Sequence, residues 1–265
     1  MARKKKEVVK KVEAEVPMVV GMDFEADSGA GFEGADSQSF AIPYLVVLQK
    51  NSPQVDEDDG KYMKDAKAGM FFNTVTQELY STVRLCPAYY QRMLVEWVPR
   101  DAGGGFRGAH HPSTIDMNKL ARDDSGRFRM ENGNFLADTR YHFVLIVADD
   151  GSSSPAVISL TSTQIKKSKQ WMSQMNSLKI PGKAGPYTPP MSSHLYNATT
   201  VKEENDKGSW KGWKIEMDGM LSAEQAGIYV NAADFRKMVQ EGDAVVTAPP
   251  ETGGSTSEEK EEAPF

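Results

Sequence analysis

The sequence predicts a mainly β fold of the α+β class: a barrel-like core with one internal amphipathic helix, long loops, and disordered tails at both ends. Short apolar runs alternate with turn residues, one longer stretch has helical periodicity, and both ends are rich in charged and small residues. The chain has 265 residues, is 39% hydrophobic and contains 22 glycines, which fits one apolar core with many loops. We divide it into a disordered basic arm and linker (1–38), a core (39–248) and a disordered acidic tail (249–265).

The strands are predicted from short segments that are rich in apolar and β-branched residues. They cover residues 42–49, 70–74, 79–98, 141–148, 156–160, 195–203 and 210–218. Asp149-Asp150-Gly151 and Asn205-Asp206-Lys207-Gly208 are typical turn sequences, so each predicts a hairpin. Residues 51–67 form a polar excursion, and the glycine-rich residues 101–133 are expected to form a long loop or insertion.

One segment, residues 163–178, has the periodicity of an amphipathic helix. Its apolar side carries Ile165, Ser168, Met172, Met175 and Leu178, with Trp171 at the margin. Its other side carries Lys166, Lys167, Lys169 and Gln170. We predict that this helix packs on the sheet with its lysines outward, capped by Thr161 or Ser162, and that residues 231–240 form a second, short helix. This order of elements fits an OB-fold, a small barrel with a helix between strands.

Charge is segregated along the chain, although the net charge is only -6. Residues 249–265 contain five glutamates and one lysine, whereas residues 151–202 contain six lysines and no Asp or Glu. The first eleven residues are also basic. Because a polyanion responds to local charge rather than to the average, the acid-free stretch is compatible with a nucleic-acid partner.

Membrane and secretory classes are not supported by the sequence. No apolar run approaches the length of about 20 residues that spans a bilayer. The basic start leads into no apolar segment of the kind found in signal peptides. We therefore expect a cytoplasmic protein.

Catalytic and metal-binding patterns are weak, so we expect no enzyme activity, catalytic residues, metal or cofactor. A single cysteine, Cys86, excludes an internal disulfide and a cysteine-cluster zinc site. His110-His111 are adjacent, and neighbouring histidines rarely chelate one ion. Asp149-Asp150 belong to a turn, and Gly103-Gly104-Gly105 lack the Lys-Ser/Thr of a phosphate loop.

The most specific motif is the acidic segment at the C-terminal end. Behind a Gly/Ser/Thr spacer, four glutamates are followed by an apolar tip, in the order Glu258, Glu259, Lys260, Glu261, Glu262, Ala263, Pro264, Phe265. Such acidic residues keep a segment unfolded, so Phe265 is not expected in the core. An aromatic side chain beside its carboxylate suits an apolar pocket with a basic rim on a partner protein.

At these residues the sequence resembles the single-stranded-DNA-binding proteins of bacteria and tailed phages. Bacterial members end in acids followed by Pro-Phe, and T7-type phage members end in acids with a terminal Phe on an OB-fold core. The core segments Ile42-Pro43-Tyr44-Leu45 and Phe71-Phe72-Asn73-Thr74 are similar to phage proteins of that kind. The resemblance implies an OB-fold, a context of DNA replication, recombination and repair in the host cytoplasm, and replication proteins as partners of the tail.

Residues that bind single-stranded DNA can be sought independently, because such binding needs cations for phosphates and flat aromatic groups for bases. Strand alternation places Trp213 in the core and Trp210 with Lys214 on the opposite face. By the same argument Tyr90 and Arg92 share a face with Arg84. The predicted DNA-binding residues are Arg84, Tyr90, Arg92, Lys166, Lys167, Lys169, Lys183, Tyr187, Trp210 and Lys214. The predicted partner-binding residues are Glu258, Glu259, Glu261, Glu262, Pro264 and Phe265.

Other functional classes remain open at this point. A strand-annealing recombination protein would share the same DNA-binding features and would form an ordered oligomer. A phage structural or scaffold-associated protein would use the acidic tail only for solubility. An enzyme with an unrecognised site is a third alternative.

Overall fold

The computed structural model describes residues 23–24, 26–35, 39–123, 127–206 and 208–242. The basic arm and the acidic tail lie outside the described residues, so their predicted disorder stays a prediction. The described residues before position 36 form a unit of their own that contains turns without helix or strand.

The rest of the described chain is mainly β, with two α-helices, as the sequence predicts. The strands are β1 (Leu45–Val47), β2 (Phe71–Asn73), β3 (Leu79–Tyr80), β4 (Val83–Trp97), β5 (Phe106–His110), β6 (Phe128–Arg129), β7 (Phe135–Val147), β8 (Ser153–Thr161), β9 (His194–Asn205) and β10 (Gly208–Met220). The helices are α1 (Ile165–Ser177) and α2 (Ala226–Glu241).

The strands form two antiparallel sheets rather than one closed barrel. The small sheet has the order β1-β2-β3, and the large sheet has the order β10-β9-β4-β7-β6, with β5 on β4 and β8 on β7. An isolated bridge between Tyr44 and Val157 connects β8 to the chain just before β1. The α+β, mainly β class is therefore confirmed, whereas the predicted barrel closure is not found in these two sheets.

Alternating residues of β7 divide the core of the large sheet between its two faces. Phe143 and Leu145 pack in a cluster with Ile228 and Phe235 of α2. Val144 and Ile146 pack in a second cluster, to which α1, β9, β10 and the small sheet contribute side chains, among them Trp171, Met175, Tyr196, Trp213, Leu45 and Phe71. Successive side chains of a strand point to opposite faces, so α1 and α2 cover opposite faces of the large sheet.

The outer edge of β10 is hydrogen-bonded by two glutamine side chains. Gln49 accepts from the Lys211 backbone N–H at 2.8 Å and donates to the Lys211 carbonyl at 2.9 Å. Gln164 accepts from the Trp213 backbone N–H at 3.0 Å. Exposed strand edges invite pairing with other chains, so these contacts protect β10 while fixing α1 and the small sheet against it.

A β-bulge in β4 corrects the predicted position of Arg84. Pro87 lies opposite Val144 and Tyr89 lies opposite Phe143, which leaves Ala88 as the extra residue. Cys86 and Tyr89 consequently pack in the same apolar cluster. Arg84 lies two positions before Cys86 and therefore points to the same face of the sheet as Cys86. The prediction that Arg84 shares a face with Tyr90 and Arg92 is wrong.

Three further predictions need correction. Residues 101–133 are not simply a loop, because they contain β5, which pairs with β4, and β6, which pairs with β7. Neither Thr161 nor Ser162 caps α1 with its side chain; a 3-10 turn, Ser162–Gln164, precedes the helix instead. Trp171 is 2% exposed and therefore belongs to the core rather than to the margin of the helix.

Candidate nucleic-acid interface

The outer face of α1 carries the predicted lysines. Lys166 and Lys169 are exposed, whereas Ser168, Trp171 and Met175 face the sheet and are buried. The helix contains no acidic residue. Its exposed face is therefore cationic, as the helical period predicts.

Glu203 of β9 brings α1 and Trp210 of β10 together. Its carboxylate pairs with the Lys167 ammonium at 2.9 Å and accepts hydrogen bonds from Gln164 at 2.7 Å and from the Trp210 indole N–H at 2.9 Å. Burial raises the pKa of Glu203, but these three hydrogen bonds and the charge of Lys167 outweigh burial, so the pKa is lowered. Glu203 is therefore ionised at neutral pH and fixes the half-buried Trp210 beside the helix.

We call this set of residues the lysine surface: Lys166, Lys167, Lys169 and Trp210. Gly212 leaves room for the Glu203 carboxylate, because a Cβ at position 212 would clash with it. A larger residue at position 212 would displace the carboxylate that orients both Lys167 and Trp210.

A small basic loop follows α1 and carries two more predicted residues. Ile180 and Tyr187 form an isolated antiparallel bridge, so Lys183 lies in the loop that they close. The Tyr187 ring lies against Gly182, where a Cβ would approach ring carbon Cδ1 to 2.7 Å, and Tyr187 is 48% exposed. With a rise of about 1.5 Å per residue, α1 separates its two ends by roughly 20 Å. Trp210 and Tyr187 thus lie near opposite ends of one cationic helix.

Tyr90 and Arg92 lie together at a different place, on β4. Both Nε and Nη2 of Arg92 donate to the Asp138 carboxylate, at 2.9 and 3.0 Å, and hydrogen bonding to this carboxylate raises the pKa of Arg92. The Tyr90 hydroxyl accepts from Arg140 at 3.0 Å, and its ring lies 5.1 Å from that of His142. Ser168 of α1 contacts His142 at 2.8 Å, so this polar cluster adjoins the buried side of the helix.

Arg84 and Lys214 are not brought into either group. Arg84 pairs with Asp218 at 3.3 Å, and Lys214 pairs with Glu216 of its own strand at 2.8 Å. Trp213, in contrast, is 5% exposed and packs against Phe71 with ring centroids 4.7 Å apart, so its predicted core position is confirmed.

The histidine pair is divided between two environments. His110 contacts the buried Glu96 carboxylate at 2.7 Å, and Asn132 also donates to that carboxylate. His111 is exposed and contacts Ser113. Across the described ranges, no group of three or more His, Cys, Asp or Glu side chains is placed to hold a metal ion. None of the helices found there is long and apolar enough to cross a membrane.

The sequence reasoning missed a set of arginine–aromatic contacts in and beside residues 101–133. The Arg122 guanidinium carbon lies 3.8 Å from the centre of the Phe128 ring. Arg127 lies 4.7 Å from the Phe135 ring centre. The alternation of arginine with Phe between positions 122 and 135 was visible in the sequence, but the glycine-rich surroundings suggested a plain loop.

The predicted partner-binding residues of the tail, from Glu258 to Phe265, lie outside the described residues.

A family model described as Pam3 phage gp34-like protein matches residues 10–245 of the chain. No curated protein and no solved structure matches the chain.

Proposed function

The chain belongs to the Pam3 phage gp34-like family, and from this premise we propose that it is a non-enzymatic phage protein that binds single-stranded DNA. The observation that carries the proposal is the lysine surface. Exposed lysines on an acid-free helix lie beside a half-buried tryptophan, with an exposed tyrosine beyond the other end of the helix. Cations that track phosphates and flat rings that stack bases are the two components of sequence-tolerant single-strand binding.

The function that follows is protection of single strands during DNA replication, recombination and repair. Lys166 and Lys169 contact the phosphates, and Trp210 and Tyr187 stack bases. Lys167 is paired with Glu203, so its main role is to orient the carboxylate that holds Trp210 beside the helix.

Binding of a fluorescent oligothymidine tests this proposal. If about four phosphates are contacted, the slope of log K against log salt is roughly -3, at about 0.7 per contact. The double variant Lys166→Gln/Lys169→Gln should reduce that slope to about half. Arg236→Gln/Lys237→Gln removes two exposed charges from α2, on the opposite face of the sheet, and should leave the slope unchanged.

A duplex of the same length is the second control. Equal affinity for duplex and single strand, or a salt slope near zero, would exclude a single-strand-binding protein and leave a structural or scaffold-associated role. Annealing of complementary strands together with formation of an ordered oligomer would instead identify a strand-annealing recombination protein.

The acidic tail extends the proposal to partner proteins. We propose that Pro264 and Phe265 bind an apolar pocket on a replication or recombination protein, with the four glutamates against its basic rim. Phe265→Ala should abolish recovery of replication proteins from host lysate while leaving DNA affinity unchanged. Equal recovery of replication proteins by the parent and by Phe265→Ala would mean that the tail serves only to keep the protein soluble.

A further inference from the structure

Described residues between positions 112 and 128, together with one residue each of β4 and β7, line a groove of about 850 Å³. The lining residues include Arg92, Arg122, Phe128, Ile115 and Leu120. We call it the Arg92 groove. Small-molecule sites in proteins span about 300–1,000 Å³ and combine apolar walls with a few placed polar groups.

We propose that the Arg92 groove binds one nucleotide, with its base against the stacked Arg122–Phe128 pair and its phosphate near Arg92. This inference rests on the proposed single-strand binding and adds a second contact to it. The groove has a surface on which a base can stack. Bases stack on aromatic rings and on guanidinium planes, and here a guanidinium already lies over a phenyl ring at 3.8 Å in the wall of the groove.

The charged residues in and beside the groove include both arginines and carboxylates. Asp138 also lines the groove, but it accepts from two arginines, Arg92 and Arg140, at 2.9 Å each. This cluster of two guanidinium groups and one carboxylate keeps one positive charge, and its bidentate contact fixes the Arg92 fork in place. Asp116, the other carboxylate in the wall, pairs with Lys119 at 3.7 Å. The groove therefore favours an anion despite its two carboxylates.

The groove also contains polar residues that could recognise a base. Ser113 and Asn118 line it, and amide and hydroxyl groups are suited to the edges of a base. Asn118 is held by its backbone N–H, which donates to Asp116 at 3.1 Å. The groove thus offers a cation, a stacking platform and base-edge partners within one wall.

The groove is linked to α1 through packed residues. Arg92 and Arg140 lie directly opposite each other in the β4–β7 ladder, and Tyr90 lies opposite His142 in the same ladder. His142 contacts Ser168 of α1, so one pair of strands holds the groove at a fixed separation from the helix.

The experiment measures the binding of two probes to the full chain. One is a fluorescent oligothymidine, and the other is thymidine monophosphate, titrated to millimolar concentration and followed by NMR. The variants are Arg122→Gln and Phe128→Leu. Arg107→Gln is the matched control, because Arg107 is an exposed arginine of the same insertion and does not line the groove. Thermal unfolding of each variant verifies that it is folded.

We expect both groove variants to lose the saturable shifts caused by thymidine monophosphate and to bind oligothymidine about tenfold more weakly. Arg107→Gln should bind both probes like the parent protein. Unchanged binding of both probes by Arg122→Gln and Phe128→Leu overturns the groove site while single-strand binding stands. Mononucleotide binding that depends on Arg122, without oligothymidine binding, keeps the site and overturns the proposed function. Absence of binding to either probe overturns both.

Discussion

Two tryptophans lie three positions apart in β10, and we expect one to contribute to DNA binding and the other to stability. Trp210 is half-buried and donates to Glu203, whereas Trp213 is packed against Phe71 in the core. Trp210→Ala should weaken oligothymidine binding by about 1–3 kcal/mol, the value of one stacked base. Trp213→Ala should lower the free energy of unfolding by about 3–5 kcal/mol through the cavity it leaves. Exchange of the two phenotypes in binding and denaturation assays would contradict the assignment.

His142 predicts a pH dependence of stability. It is 1% exposed, stacks on Trp171 at 4.7 Å and contacts Ser168, and burial followed by the charge of Arg140 lowers its pKa to about 3. The unfolded chain takes up a proton below about pH 6.5, and the folded protein does not until about pH 3. The contribution of His142 to the free energy of unfolding is therefore fully present above pH 6.5. It falls with decreasing pH, by at most about 1.4 kcal/mol per pH unit.

Urea unfolding of His142→Gln and of the parent protein between pH 5 and 7 checks this expectation. We compare the slopes of the free energy of unfolding against pH. The variant should lose the part of that slope that His142 supplies, whatever its absolute stability. His194, whose pKa is also lowered by burial, supplies a residual slope in both proteins. Gln170→Ala, which changes an exposed residue without a titratable group, is the control that should keep the full slope. Identical slopes for His142→Gln and the parent would contradict a neutral, buried His142.

At the level of elements, the two hydrogen bonds between Gln49 and Lys211 predict a stability effect. Gln49→Ala removes both partners of the Lys211 backbone on the outer edge of β10. We expect a loss of about 1–2 kcal/mol, since a half-buried donor and acceptor lose their partners. Gln170→Ala, at an exposed position of α1, should change the free energy of unfolding by less than about 0.5 kcal/mol. Equal midpoints of chemical denaturation would show that the edge needs no such contact.

Elements with a local signal are the ones that the sequence predicts well. The β9–β10 hairpin has alternating apolar residues and a turn sequence, and α1 has a clear helical period, so both lie where expected. β5 was missed because Phe106–His110 is glycine-containing and is held by pairing with β4 rather than by its own pattern. The face predicted for Arg84 is wrong because one extra residue at the bulge in β4 inverts the alternation of its side chains.

The candidate site shows the same division. The outward position of Lys166 and Lys169 follows from the helical period alone. The contact of Lys167 and Trp210 through Glu203 depends on how α1 packs beside a distant hairpin, which no local pattern encodes. The Arg92 groove is likewise tertiary, because Arg92, Arg122 and Asp138 come from separate segments.

At the level of the whole molecule, the segregated charge predicts competition between the acidic tail and DNA. Residues 249–265 carry a net charge of -4, while residues 151–202 contain lysines and no acids. The tail belongs to the same chain as the core, so we expect its glutamates to act at a high effective concentration. We predict that they compete with phosphates for the lysine surface whenever salt does not screen the interaction. Replacing Glu258, Glu259, Glu261 and Glu262 with glutamine should therefore raise the affinity for oligothymidine at low salt.

This effect should disappear as salt rises, because the Debye length falls from about 30 Å at 0.01 M to about 3 Å at 1 M. Titrations of the parent and the four-glutamine variant over this range, with anisotropy as the readout, should give curves that converge. Phe265→Ala removes the apolar tip but keeps every acidic charge, so its curve should follow that of the parent at all salt concentrations. A constant ratio of affinities between the four-glutamine variant and the parent would rule out electrostatic competition, since screening acts on charge and leaves apolar contacts in place.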